Sequence, residues 1–293
     1  MEKEITPINK LSWSDKLKSY TKHPGSFVLL LLVSISAVLT VTVLIYLVGY
    51  ILIHGVPYLK PKLFSFTYNS DNVSMMPAII NTVTMVLLAL LFSVPFGIGA
   101  AIYLVEYAKK GNKLVELVRV TAETLTGIPS IVYGLFGMLF FVRALGWDYS
   151  MLAGAATLAI MVLPVIMRTT EEALLCVPDS FREGSFGLGA GKLRTIFKIV
   201  LPSAIPGILS GVILAIGRIV GETAALIYTA GTVAQVAGIM NSGRTLAIHM
   251  YSLSREGLHT NEAYATAVVL LVVVLLINGL SSLIARKLES ARE

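Results

Sequence analysis

The chain has 293 residues, 56% of them hydrophobic and only 14% charged, with a formal net charge of +6 and a mean hydropathy of +0.80. That balance excludes a water-soluble globular domain and defines an all-α, polytopic membrane protein. One cysteine and four histidines without metal-ligand spacing exclude an intrachain disulfide and a thiol-rich metal site.

Residues 1–25 read as a cytoplasmic segment. Trp13, Leu17 and Tyr20 recur there at helical spacing among Lys10, Lys16, Lys18 and Lys22. An interfacial helix on the inner leaflet and a solvated tail both fit this pattern. Apolar runs of about 20 residues or more, the length that crosses the hydrocarbon, fall near 26–53, 79–104, 120–142, 150–168, 204–228 and 263–285 and predict six transmembrane helices. The first, 26–54, has no Pro and no charge and carries Gly only at Gly49, so it reads as a peripheral, lipid-facing helix. It is longer than a signal-peptide core and lacks a small-x-small cleavage site. From residue 75 the character changes. The second run carries Asn81-Thr82, Pro95, Gly97 and Gly99, and the third Gly127, Pro129, Ser130 and Gly134. Small and kinking residues mark helices packed against helices, so 75–285 reads as the working core and 286–293 as a cytoplasmic tail. Pro129, Gly134, Gly137 and Pro164 interrupt the third and fourth runs.

Basic residues orient the chain. With the N-terminus inside, 17 of the 23 Lys and Arg fall on the cytoplasmic side and both termini are cytoplasmic. This loop bias accounts for the pI near 9.3. No nucleic-acid partner is expected, because aromatics do not interleave with the basic residues as a stacking platform requires. Cys176 lies on the cytoplasmic side, where it is expected to be a small buried hydrophobe.

Between the fourth and fifth runs lies a soluble, Gly-punctuated segment, 176–202. Its part EGSFGLGAGKLRTIFKIVLP runs from Glu183 to Pro202. Asp179 or Ser180 is expected to N-cap a helix with Glu183 in its first turn. Gly187, Gly189 and Gly191 would then turn the chain into a basic helix, 192–200, before Pro202 opens the next span. The small residues, Gly184 and Ser185 among them, allow a partner to approach closely. GLGAGK is not a phosphate loop, since Phe186 and Leu193 stand where Walker A needs Gly and Ser or Thr.

Arg218 falls inside the fifth run. A central Arg costs about 2.5 to 3.5 kcal/mol on insertion scales and is rare without a task. At 100° per residue, Ser210, Gly211, Gly217, Arg218, Gly221, Glu222 and Ala225 share one small, polar face. A guanidinium suits a tetrahedral oxyanion because its fork gives two parallel charge-assisted bonds. Glu222 has two open readings: an i, i+4 ion-pair partner of Arg218, or an acceptor for a protonated phosphate oxygen that sulfate lacks. Thr223 adds a hydroxyl. Arg168, at the inner end of the fourth run, is either a second anion contact or an inside anchor. Asn81, Thr82, Pro129 and Ser130 either line the path or serve as packing and kink residues.

Glu183, Gly184-Ser185, Gly189, Ile199 and Leu201-Pro202 together resemble the cytoplasmic coupling signature of ABC importer permeases. TGIPSIVYGLFG (126–137), VPDSFREGSFGLGA and RIVGETAAL resemble the PstA-type permease subunit of phosphate importers. The resemblance covers about 75–285 and implies the type I importer permease fold, with phosphate carried past Arg218, Glu222, Thr223, Arg168, Asn81, Thr82, Pro129 and Ser130. It also implies a dimeric ATPase that grips 183–202 and itself holds the ATP and Mg. A homologous PstC-type second permease and an extracytoplasmic phosphate-binding protein complete the implied assembly. No cofactor is expected on this chain. The alternatives are a permease for sulfate, molybdate or phosphonate, or an ATP-independent anion transporter or channel, which has no reason to carry the coupling segment. An intramembrane hydrolase fails for want of His or Asp within any span.

Overall fold

The computed structural model describes residues 24–109 and 111–290; the segment around Trp13, Leu17 and Tyr20 lies outside them. Every regular element among the described residues is helical. The chain divides into two units, Met1–Ile53 and His54–Glu293. The first contributes most of α1 (Pro24–Gly55), whose side chains are apolar around the whole circumference and exposed, as expected of a helix solvated by lipid.

The second unit begins with two short 3-10 turns and then α2 (Met76–Ile102), which a π-helical turn, Tyr103–Tyr107, prolongs. There follow α3 (Lys113–Thr126), α4 (Ser130–Gly137, prolonged by Met138–Ala144), α5 (Met151–Leu175) and α6 (Asp179–Gly187). A short α7 (Lys192–Thr195) passes through a π-helical turn, Ile196–Val200, into α8 (Leu201–Gly221). The chain ends with α9 (Ala224–Ile227), α10 (Leu246–Glu256) and α11 (Thr260–Ser290).

Five runs are long and apolar enough to cross a membrane, and α3 with the α4 segment makes the sixth only as a pair bent by 103°. The expected straight span at 120–142 is therefore a corner. Gly127 ends α3 and Pro129 stands extended (φ −58°, ψ 140°) at the start of α4, where a residue preceding Pro is disfavoured in the α region. The Tyr133 hydroxyl pins the corner by donating to the Leu125 carbonyl at 2.7 Å. The fifth span is also displaced: its helical run is Lys192–Gly221, beginning in the basic segment and stopping short of 228.

The core is built by α2, α5 and α8. Met85, Met151, Leu158, Met161, Ile166, Ala215 and Ile219 are its buried side chains. α5 and α8 meet closely because Gly207 faces Ala173, where an added Cβ would stand 2.6 Å from the alanine methyl. Without a hydrophobic driving force in lipid, such small-residue contacts carry the packing. A second cluster, Ala101, Leu104, Met167, Leu174, Val177, Val200 and Ala204, closes the cytoplasmic end. Cys176 is not part of it. Cys176 closes α5 as its C-cap and is exposed, because the helix ends at the surface just before Pro178.

Candidate translocation and coupling sites

Arg218 lies in the last turn of α8, half-buried. The helix stops at Gly221; Glu222 is extended (φ −72°, ψ 130°), and the chain turns helical again only at α9. The polar stripe drawn through Ala225 therefore holds only to Gly221. The i, i+4 pairing of Glu222 with Arg218 is likewise corrected: Glu222 Oε1 accepts the Ala225 N–H at 3.1 Å, capping α9, and Arg218 forms no ion pair among the described residues. Thr223 Oγ1 points back to the Gly221 carbonyl at 3.4 Å. Arg218 instead lines a cavity of about 470 Å³ with Val165, Ile213, Leu214, Gly217 and Asn278, and its charge acts on the Tyr133 hydroxyl.

Tyr133 connects this break to the other one. Pro129, exposed, and Ser130, half-buried, form the α3–α4 corner. α4 packs on α9 with Gly134 against Ala225, where a Cβ would come 2.8 Å from the Ala225 Cα. Two interrupted spans thus share one packed unit. Irregular backbone at membrane depth is tolerated only where protein buries it or water reaches it, and broken helices are where transporters place their solute sites.

Asn81 and Thr82 sit elsewhere, and their polar atoms are taken. Asn81 Oδ1 accepts from Ala237 N at 3.0 Å, and its Nδ2 donates to the carbonyls of Gln235 and Arg244 at 2.8 and 3.1 Å. Thr82 Oγ1 donates to Ala78 O at 2.7 Å and accepts from Leu246 N at 2.8 Å. Both fasten the loop between α9 and α10 to α2, so they shape a wall and offer no free donor to a solute. In the same region Arg244, 6% exposed, lies 4.5 Å from the Tyr68 ring centroid. Burial and the Arg244 charge push the His249 imidazole down to about 3, which keeps it neutral at physiological pH.

Arg168 is mostly exposed and pairs with Glu172 at 3.2 Å and Glu123 at 3.4 Å. Arg119 pairs with Glu171 beside it, and these residues line a cavity of about 310 Å³ at the inner ends of α3 and α5. Carboxylates neutralise the guanidinium, so the geometry favours the anchor over the anion contact.

The coupling segment folds as two short helices joined by glycine. Its first cap differs from expectation. Pro178 is the N-cap residue and Asp179 the first helical one, its carboxylate accepting from Arg182 Nη1 at 3.2 Å; Glu183 is in the second turn, exposed. At the other end Ala190 N bonds Ser185 O and Gly189 N bonds Phe186 O, the Schellman pattern, with Gly189 left-handed at φ +79°. Gly184 faces outward, whereas Ser185 is buried against Thr195, Oγ to Oγ1 2.8 Å. Gly189, Ala190, Leu188, Arg194, Lys198 and Ile199 border a hollow of about 440 Å³; Leu201 and Pro202 are half-buried where α8 begins. Leu188 is 91% exposed, and Phe186, Leu193 and Phe197 are exposed around it. A cluster of exposed apolar side chains rimmed by cations marks a protein contact surface.

Sequence reasoning missed the residue that anchors this segment. Arg182, counted only as an inside charge, donates from Nε and Nη2 to Glu106 Oε1 at 3.0 and 2.8 Å, and to the carbonyls of Val177 and Leu174. The pair is 14% and 9% exposed. Glu106, a carboxylate at the inner end of an apolar run, was the available signal, since it requires a cation. Breaking such a pair from one side costs about 3 to 5 kcal/mol. Arg182→Met is expected to free α6 from α2, seen as faster amide exchange across 179–190 with α5 unchanged; unaltered exchange refutes the anchor.

A family of binding-protein-dependent transport system inner membrane components matches residues 93–292. The probable ABC transporter permease protein YqgI of Bacillus subtilis is 33% identical over 282 residues, covering 87% of this chain and 94% of that protein. The phosphate transport system permease protein PstA of Yersinia pestis is 36% identical over 219 residues, 72% of each chain. Among solved structures, a bacterial alginate ABC transporter in complex with alginate pentasaccharide-bound periplasmic protein matches at TM-score 0.68 and 16% identity, over 92% of this chain and 97% of that one, which establishes the type I importer permease fold. The chain belongs to the binding-protein-dependent inner membrane components and, within them, to the PstA-type permeases. It is a multi-pass plasma-membrane transporter subunit and not itself an enzyme.

Proposed function

We propose that this chain is one of two permease subunits of an ATP-driven importer of inorganic phosphate, with the Arg218 cavity as its anion contact. The observation that carries the reading is a half-buried guanidinium, without an ion-pair partner among the described residues, beside two broken spans in a permease of this family. Glu222 and Thr223 form one break, Pro129 and Ser130 the other. The exposed apolar surface around Leu188 and Gly189 is where a cytoplasmic ATPase dimer would dock, carrying the ATP and Mg. A PstC-type second permease supplies the other half of the path, and an extracytoplasmic phosphate-binding protein delivers the solute. The test is reconstitution of the chain with those three partners in proteoliposomes. ATP-dependent uptake of labelled phosphate is expected; uptake of sulfate, molybdate or phosphonate in its place, or anion flux without ATP, overturns the proposal.

A further inference from the structure

We infer that Asn278 is a second substrate-positioning residue of the Arg218 cavity, its amide oxygen accepting a hydrogen bond from the protonated oxygen of the transported anion. This rests on the proposed phosphate reading and adds to it the group that recognises protonation. Asn278 lies within the spanning α11, among Leu275, Leu276, Ile277 and Leu280. Its Oδ1 is buried and has no hydrogen-bond partner. An unsatisfied amide oxygen in a spanning helix lowers stability, and leucine there would be tolerated at least as well, so packing gives no reason for the amide.

The chemistry of the cavity supplies one. Arg218 can only donate and Asn278 Oδ1 can only accept, and the remaining lining, Val165, Ile213, Leu214 and Gly217, is apolar. An anion that satisfies both must carry bare oxygens for the guanidinium and an O–H for the amide. Phosphate at neutral pH has both. Sulfate, fully deprotonated, would set an oxygen lone pair against Oδ1, whereas arsenate, protonated like phosphate, would be accepted. Glu222 is less available for this task because its Oε1 holds Ala225 N.

The experiment uses the complete transporter in proteoliposomes and measures labelled phosphate taken up per ATP hydrolysed. Asn278→Leu is expected to lower that ratio about tenfold, the value of one hydrogen bond to a charged group. Complex yield and unfolding temperature should be unchanged, and hydrolysis stimulated by the loaded binding protein should persist. Asn278→Ser, which keeps an acceptor, is expected to retain most of the ratio. A merely structural amide would not separate uptake from hydrolysis. A wild-type ratio in Asn278→Leu, or equal losses in the Leu and Ser variants, overturns the assignment. Arg218→Lys, assayed alongside, keeps the outcomes apart. If it is impaired while Asn278→Leu is normal, Asn278 alone is refuted; if the unaltered transporter takes up no phosphate, the reading of the function itself fails.

Discussion

Arg218→Lys is expected to lower ATP-driven phosphate uptake at least tenfold although it preserves the charge. A guanidinium presents two parallel donors in one plane, and the ammonium is a compact point charge. Losing one charge-assisted bond of about 1.5 to 3 kcal/mol accounts for a tenfold effect or more. Arg218→Gln should be at least as severe. Because Glu222 caps α9 at Ala225 N and is not the ion-pair partner of Arg218, the single Arg218→Gln change strands no buried paired carboxylate, and its protein level should stay near normal. The double variant Arg218→Gln with Glu222→Gln retains an oxygen for that cap and should assemble equally well without recovering uptake. Wild-type uptake in the double variant, measured in vesicles with ATP, would place the anion path elsewhere.

Gly189→Glu is expected to abolish coupling while leaving the chain inserted. At φ +79° a side chain costs about 1 to 2 kcal/mol, too little to unfold a membrane-spanning bundle. No heavy atom lies within 4 Å of where the Cβ would stand, so the fold can accept it. The same open space is what an ATPase surface would occupy, and a charged side chain there would hold it off. Gly189→Asn separates the two causes, since Asn tolerates the left-handed region without adding charge; it should keep most of the uptake. The companion measurement is crosslinking from Gly184→Cys, which faces outward, and not from position 185, whose side chain points to Thr195. Exposed Cys176 must first be replaced by Ser. Normal uptake by Gly189→Glu, with crosslinking intact, would mean that the ATPase does not seat on this turn.

The number of spans, their orientation and the coupling segment were readable from the chain because each depends on short-range chemistry. Lipid demands about 20 apolar residues in a row, positive loops stay inside, and a left-handed helix end asks for glycine. Gly189 and the basic residues of α7 stand where that chemistry puts them. The cation at Arg218 was legible too, since any charge inside an apolar run is conspicuous.

The partners of those residues depended on tertiary structure. Helical periodicity assumes an unbroken helix, so it joined Glu222 to Arg218 across a break that the chain's neighbours stabilise, with α4 lying against α9. Asn81 and Thr82 looked available for a solute, but residues more than 150 positions away bind their polar atoms. Arg182 looked like an ordinary inside charge until the fold brought Glu106, 76 residues earlier, against it. Asn278 was an unremarked amide in an apolar helix until packing set it in the Arg218 cavity. Apolar length and loop charge act through lipid and water, which every segment meets alone. Hydrogen bonds and ion pairs over such separations exist only once the helices have packed.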